Sequence, residues 1–590
     1  MRTHIRFGVL LLGLLTTQFF WAQQTYKVHS HNDYLQDVPF WHAYGNGAAS
    51  IEVDLFLKRD SLFVTHSQGE IQSGRTLESL YLDRLVEVLE QGQDRELQLL
   101  IDLKSEAHAT LDKLVATLGN YPSLTSSDKL NFVVSGNRPL ARNYGNYPDF
   151  IKFDHQNLED LDQINLEKVA LVSVNFKGYS VWNGYGRMVA PELQAVEKAI
   201  AKAKASGKPF RFWATPDTKT GWARMAQLGV DYINTDRPAA ANAYLGSLDR
   251  NIYSQERPIA VYRPKFGYRK GSTPRNVVLM IGDGNGLAQI SAAMIANRGE
   301  LSITQLKHIG LIKTSSDDDL ITDSAAAATA LATGVKTNNR AIGQGPGGED
   351  LNTLVEEVAK HGFNTALVGT DAIYGATPAS FYANRMERDD TQGLVTDLLS
   401  SDLGFFIAGG RDQEPRIRGT FATKSLDDFK DLGERTAVYL GDTKAPSMKN
   451  GREDLLPRAV KKALDVLGAE KAPFFLMVEG AQIDNGGHSN DTEGIVREML
   501  DFDRAIAEAV RFADAHGNTL VVVTADHETS GFGIVGGNQD KGVVHGDFLT
   551  VDHSGIMVPV FAYGPQGERF NGIYENSDIF LKILEALDLR

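Results

Sequence analysis

Between Tyr26 and Arg237 the chain alternates short apolar runs with helical stretches, and this alternation limits the possible fold more than any other feature of the sequence. Eight candidate strands begin near Tyr26, Ser50, Leu97, Phe132, Phe150, Val172, Phe210 and Tyr232. Segments such as 77–91 and 191–205 separate them, and their apolar residues recur at the period of a helix with one face on a core. Eight such units predict a (β/α)8 TIM-type barrel.

The pattern weakens between residues 238 and 275, where Pro258, Pro264, Gly267, Gly271 and Pro274 stand among Tyr and Arg residues, as in a connector. A second α/β pattern opens at Asn276. Its apolar runs at 277–281, 366–369, 474–478, 520–523 and 558–563 lack polar alternation, as strands buried on both faces do. The expected organisation is therefore an export signal at 1–22, a barrel at 23–245, a linker at 246–275 and a second domain at 276–590. No internal repeat or low-complexity tract interrupts it.

Composition narrows the chemistry. With 590 residues the chain exceeds one compact core, and 42% hydrophobic with 23% charged residues is the balance of a folded soluble protein. A formal charge of −15 argues against nucleic acid as the main partner, because that binding draws on clustered Lys and Arg. Small anions stay open as substrates, since bound divalent ions can reverse the field locally. The absence of cysteine excludes disulfides, thiolate ligands and a cysteine nucleophile, so any metal must be held by His, Asp and Glu. At the N-terminus, Arg2 and Arg6 precede an apolar run at 7–15, with Trp21 and Ala22 before Gln23. This reads as an export signal too short to span a bilayer, and it predicts a periplasmic or secreted protein with no other membrane segment.

In the second domain three strands run apolar and then stop at metal-binding residues: the first at Asp283, another at Glu479, a third at Asp526 and His527. In open α/β sheets ligands sit at the carboxyl ends of strands, so these side chains are expected to converge on one edge. Asp484 and His488 follow Glu479, and His553 lies just before the last strand. Carboxylate with imidazole suits zinc, whereas carboxylate and hydroxyl alone suit magnesium. Ser324 opens a small-residue helix, where free backbone amides and the positive helix end favour a phosphate oxygen.

The stretches 281–286 (IGDGNG), 322–343 (TDSAAAATALATGVKTNNRAIG), 478–488 (VEGAQIDNGGH) and 524–527 (TADH) resemble the motifs of the alkaline phosphatase family and occur in its order. The resemblance covers roughly residues 275–590 and implies a three-layer α/β/α domain with a mostly parallel sheet. It implies one zinc on Asp484, His488 and His553 and a second on Asp283, Asp526 and His527, with Ser324 as the nucleophile. It further implies a magnesium shared by Asp283, Thr377 and Glu479, and Arg388 as the clamp on the phosphate oxygens. Two positions depart from the family's habit. Gly375 stands where Asp or His is common, and Asn485 where Lys or His is common.

The barrel carries a second constellation. The stretch 28–34 (VHSHNDY) ends the first strand with His29 and His31, and alternation places Glu52 and Asp54 on one side of the next. His66 follows on a return segment, Asp102 and Lys104 alternate on the next strand, and Trp213 and 229–238 (GVDYINTDRP) lie near the end. These residues resemble the superfamily of glycerophosphodiester phosphodiesterases and phosphatidylinositol-specific phospholipases C. That resemblance implies His31 and His66 as an acid/base pair, with His29 as a substitute. It also implies a magnesium or calcium ion on Glu52, Asp54 and Asp102, and Lys104 on the phosphate.

The sequence thus predicts a secreted phosphomonoesterase fused to a phosphodiesterase, with phosphate monoesters and glycerophosphodiesters as partners. Three other readings stay open at this point: an inactive barrel serving as spacer, diester or sulfate ester hydrolysis by the second domain, and a non-enzymatic binding protein.

Overall fold

The computed structural model of the protein describes residues 26–589, so the expected export signal lies outside the described residues. Among them no helix is long and apolar enough to cross a membrane. The chain divides into two compact units, the first ending at Asp249 and the second beginning at Arg250.

The first unit is built from β1 (Lys27–Ser30), β2 (Ser50–Lys58), β3 (Ser61–Val64), β4 (Leu97–Leu103), β5 (Leu130–Gly136), β6 (Ile151–His155), β7 (Val169–Asn175), β8 (Phe210–Trp213) and β9 (Tyr232–Thr235). All but β3 are parallel, and β1 pairs with both β2 and β9, which closes an eight-stranded barrel. The eight expected strands are all present. Crossover helices bury one stripe each: Val196, Ala199, Ile200 and Ala203 of Ala190–Ala205 recur at helical spacing on the core side. The addition is β3, which pairs antiparallel with the second half of the nine-residue β2. Its turn holds Arg59 and Asp60 at positive φ, and the return strand leads His66 back towards the strand ends.

The second unit contains β10 (Ile252–Ser254), β11 (Asn276–Gly282), β12 (His308–Lys313), β13 (Asn364–Ala372), β14 (Phe405–Gly409), β15 (Ala422–Lys424), β16 (Thr436–Tyr439), β17 (Phe474–Gly480), β18 (Thr519–Thr524), β19 (Glu528–Thr529), β20 (Gly533–Asn538), β21 (Val543–Asp547), β22 (His553–Ser554), β23 (Val558–Tyr563) and β24 (Gly572–Glu575). Its main sheet has the order β15-β16-β14-β13-β17-β11-β18-β23-β12-β24, and only β23 runs antiparallel to its neighbours.

Strand alternation explains the layers. Val278 and Met280 of β11 enter one core with Leu476, Val478, Val521 and Val523. The intervening Val277, Leu279 and Ile281 enter another with Phe475, Met477, Leu520 and Val522. Helix Thr492–His516 covers the first face through Ile495, Met499, Phe502 and Ile506, and helices Ser324–Thr333 and Asp578–Ala586 cover the second. Each fully buried aliphatic or aromatic side chain contributes about 1.5–3 kcal/mol, so both faces hold the sheet in place. This is the three-layer α/β/α arrangement with a mostly parallel sheet.

Much of 246–275 is built into the second unit. β10 pairs antiparallel with β21, and Tyr253, Tyr262, Phe266 and Tyr268 pack on the first of the two cores. The Pro and Gly residues make the backbone irregular there, while the aromatic side chains bury.

Candidate functional site

Neighbouring parallel strands bring the acidic residues to one edge. Ile281 of β11 lies opposite Glu479 of β17 and Thr524 of β18, so Asp283 and Asp526, two residues further on, emerge beside Glu479. His553 reaches the same edge from the other direction because β23, which follows it, is antiparallel. A short ribbon fixes its place: β19 pairs with β22, with Thr529 opposite His553. The chain can crowd here only with glycine at 284, where φ is +70° and a Cβ would lie 2.7 Å from Thr529 Oγ1 and 2.8 Å from Asp484 Cα.

Two groups of ligand-type atoms result. Atoms of Asp283, Asp526 and His527 lie within 4.8 Å of one another, as do atoms of Asp484, His527 and His553. His527 Nε2 is 3.2 Å from Asp526 Oδ2 and 3.5 Å from Asp283 Oδ1. His488 Nε2 is 3.1 Å from Asp484 Oδ2 and 3.2 Å from His553 Nε2. In each imidazole Nδ1 is held from behind, which aims Nε2 inward: His488 by the Val551 carbonyl at 2.6 Å, His553 by the Thr322 carbonyl at 2.8 Å, His527 by the Thr529 hydroxyl at 3.2 Å. All six residues expected to hold zinc are therefore together. Thr529, which also donates to Asp484, was not signalled by any sequence pattern.

The donor set fits cations. Asp283 Oδ1, Asp526 Oδ2, Glu479 Oε2 and Thr377 Oγ1 are buried polar atoms that make no well-formed hydrogen bond, and unsatisfied groups of this kind are rare in native interiors. Burial, then the Asp526, Asp484 and Glu479 carboxylates, push Asp283 well above the carboxylate range. Burial, then Asp371 and Asp526, do the same to Glu479. Asp484 goes the other way despite its burial, down to about 2, because His488 and His527 surround it. His488 is raised to about 9 by its bond to Asp484. A cation between these groups would relieve the mutual repulsion of the acids.

Ser324 is the first residue of helix Ser324–Thr333, every residue of which is buried. The alanine run lets this helix lie close to the sheet. Asp323 is its N-cap, with Oδ1 accepting from Ala326 N at 2.9 Å. The serine oxygen is 3.3 Å from His527 Nε2 at the edge of the cluster. Arg388 donates from Nη1 to Asp323 Oδ2 at 3.0 Å, so one carboxylate both caps the helix and anchors the guanidinium. Gly334 ends the helix at φ +76°, and a Cβ there would meet Phe580 at 2.8 Å. Gly334→Ala is accordingly expected to destabilise the second unit by about 1–2 kcal/mol, read as a lower denaturation midpoint.

In the barrel, atoms of Glu52, Asp54 and Asp102 also lie within 4.8 Å of one another, and Asp54 Oδ1 and Asp102 Oδ1 are buried without partners, so this donor set too fits a cation. Gly136 makes room for Asp102: its φ is +68°, and a Cβ would fall 1.8 Å from Asp102 Oδ1. His66 Nδ1 contacts Asp54 Oδ2 at 2.8 Å. Lys104 Nζ sits 3.1 Å from Asp102 and 3.3 Å from Asp54. His31 Nδ1 meets Asp236 at 2.7 Å, and its Nε2 is 3.9 Å from Glu52. Burial lowers the His31 pKa, but Asp236 and Glu52 raise it more, and the net shift is upward.

His29 is placed differently from His31. It is fully buried with one nitrogen on Ser50 and the other shared by Glu52 and Arg211, and burial with Arg211 pushes it down to about 3. Sequence reading missed Arg211 altogether. This buried guanidinium on β8 contacts His29, Glu52 and Asn234, and Asp154 at 3.5 Å, and with His29 holds Glu52 well below the carboxylate range against the effect of burial. Trp213 closes β8, its indole nitrogen buried without a partner.

Comparison with known proteins agrees with this division. The alkaline phosphatase family profile matches residues 274–401 and 442–546. Towards the N-terminus, the AIM6-like phosphodiesterase domain profile matches 17–97 and the glycerophosphoryl diester phosphodiesterase profile matches 209–239. Alkaline phosphatase 4 of Bacillus subtilis is 31% identical over 420 residues, covering 53% of this chain and 89% of that protein. The solved alkaline phosphatase of the Antarctic bacterium TAB5 is 38% identical, covers 54% of this chain and all of that one, and superposes with a TM-score of 0.52. A variant of it with a histidine replaced by aspartate, also 38% identical over 54% of this chain and all of that one at a TM-score of 0.51, was solved with Mg bound in its M3 site. A match of this identity across nearly the whole of a curated relative, falling on the unit whose sheet edge gathers the serine, the arginine and the acids, means that the chain belongs to the alkaline phosphatase family of phosphoric monoester hydrolases.

Proposed function

We propose that the second unit hydrolyses phosphate monoesters through a phosphoserine on Ser324, with two zinc ions and one magnesium as cofactors. The observation that carries the reading is Ser324 Oγ at 3.3 Å from His527 Nε2, on the rim of a cluster of buried oxygens without hydrogen bonds, with Arg388 held beside it by Asp323. Asp484, His488 and His553 would hold one zinc, and Asp283, Asp526 and His527 the other. Asp283, Thr377 and Glu479 would hold magnesium, a choice supported by the Mg in the M3 site of the TAB5 variant. When bound, these ions supply positive charge that makes a serine alkoxide and a hydroxide accessible and steadies the departing oxygen.

The chain's own residues do the rest. Ser324 Oγ attacks phosphorus, the ester P–O bond breaks, and the alcohol leaves with the proton released by the serine. Water then attacks the phosphoserine, and inorganic phosphate departs. The first-turn amides of helix Ser324–Thr333 face the phosphoryl oxygens with the positive helix end. Arg388 offers a planar fork to two of them, which orients the group for in-line attack and offsets its charge.

For the barrel we propose a metal-dependent phosphodiesterase whose monoester product is the substrate of the second unit. His31 and His66 would exchange protons with the substrate, each with Nδ1 fixed by a carboxylate, while Glu52, Asp54 and Asp102 hold magnesium or calcium and Lys104 meets the phosphate. His29 is set aside as the acid/base because both its ring nitrogens are occupied inside the barrel. Export from the cytoplasm, expected from residues 1–22, suits a scavenger of phosphate esters.

The test is phosphate release from glycerol phosphate and from a glycerophosphodiester. The wild type is expected to release phosphate from both. His31→Ala should reduce release from the diester by a factor on the order of 10²–10⁴ and leave the monoester reaction intact. Monoester activity alone would demote the barrel to a spacer, and inactivity on both substrates would remove the whole reading.

A further inference from the structure

Gly375 needs explanation, because nothing in its backbone requires glycine: φ is −63° and ψ is 161°, open to any residue. The reason lies in what fills the space. A Cβ at 375 would fall 2.3 Å from Asp371 Oδ2 and 2.8 Å from Asp371 Cγ. The carboxylate of Asp371 therefore occupies the volume into which a side chain at 375 would grow.

The strand end is bent to deliver it. β13 pairs regularly with β14 up to Val368 and then slips, so that Ala372 is the next residue in register, opposite Gly409. Irregularities of this kind re-aim a side chain at the end of a strand. Around Asp371 lie the groups of the third candidate site. A Cβ at Gly369 on the same strand would be 3.1 Å from Glu479 Oε2, and Thr377 is two residues beyond Gly375. Glu479 Oε2 and Thr377 Oγ1 are buried without a well-formed hydrogen bond, on residues each 1% exposed. Of the charges that act on Glu479, Asp371 is the strongest, and Asp371 in turn feels Lys444 and Arg388.

We propose that Asp371 supplies, from the preceding strand, the carboxylate that position 375 lacks, and that with Asp283, Thr377 and Glu479 it forms an all-oxygen site selective for magnesium. The proposal rests on the reading of a third metal site. Hard oxygen donors without imidazole favour magnesium over zinc, so this arrangement keeps zinc out of the third site while the imidazole-bearing pair takes it. Lys444, delivered from the loop after β16, and Arg388 are the cations that act on this carboxylate.

The full-length chain is stripped of metal, reloaded with zinc, and titrated with magnesium by calorimetry, with bound zinc and magnesium counted by elemental mass spectrometry. Asp371→Asn, nearly isosteric, is expected to weaken magnesium binding by about 10–100-fold with zinc content unchanged. Gly375→Ala reaches the same carboxylate without altering it, by displacing it, and is expected to weaken binding in the same direction. The double variant Asp371→Ser with Gly375→Asp moves the carboxylate to the other position and is expected to recover most of the affinity. Wild-type magnesium affinity in both Asp371→Asn and Gly375→Ala, with binding lost in Glu479→Gln, would overturn the role of Asp371 alone. Magnesium binding absent from the wild type, or untouched by Glu479→Gln, would overturn the third site itself and this proposal with it.

Discussion

Ser324→Ala is expected to lower phosphate release from a simple monoester by roughly a thousandfold or more, with little change in metal content or folding. Removing a nucleophile eliminates the covalent route outright, and what remains is whatever the electrostatic site does for direct attack by water. The side chain is small and lies in the first turn of a helix whose cap is supplied by Asp323, so the loss of one hydroxyl leaves the helix start in place. Among the described residues the Ser324 hydroxyl hydrogen-bonds only to His527 Nε2, at 3.3 Å, which is why the effect should fall on catalysis rather than stability. The check is a rate measurement on purified wild type and variant carrying equal zinc. Unchanged turnover in the variant would assign the nucleophile elsewhere.

Removal of metal is expected to have an effect of similar size on activity and a further one on stability. Without cations, Asp283, Glu479, Asp484 and Asp526 are left as a buried acidic group relieved only in part by His488, His527 and His553. A ligand present at a hundred to a thousand times its dissociation constant stabilises the folded form by about 3–4 kcal/mol, so stripping should lower the melting temperature of the second unit by roughly 5–10 °C. Calorimetry on chelator-treated and zinc-restored protein reads the shift, and phosphate release reads the activity. An enzyme equally active and equally stable after exhaustive chelation would contradict the assignment of these residues as ligands.

Much of this architecture can be read from the sequence, and the reasons are local. Strands such as 474–478 and 520–523 are apolar at every position because both faces are buried, so they stand out. The barrel strands stand out because stretches of helical periodicity, such as those that become Asp83–Glu90, Ala107–Leu118 and Ala190–Ala205, separate several of them. β3, β10 and the β19–β22 ribbon do not, since each is short and gains its meaning from an antiparallel partner strand.

The same contrast holds in the sites. The spacing of His29 and His31 does not give depth: His31 lies just past the end of β1 and meets Asp236, while His29 stays inside against Arg211. Arg388 and Asp323 are 65 residues apart, and Arg211 and Glu52 are 159 apart, and no periodic pattern links positions at such distances. Gly375 could be seen in the sequence as a departure. Only the bend at the end of β13 reveals which residue fills its place.

The most direct test of the account is to trap the covalent intermediate: turnover of a phosphomonoester is quenched in acid and the peptide spanning 322–333 is examined by mass spectrometry. One added phosphoryl group is expected on Ser324 in the wild type, absent from Ser324→Ala and from metal-stripped protein. Steady turnover with Ser324 never phosphorylated, or with the phosphoryl group on another residue, would contradict it.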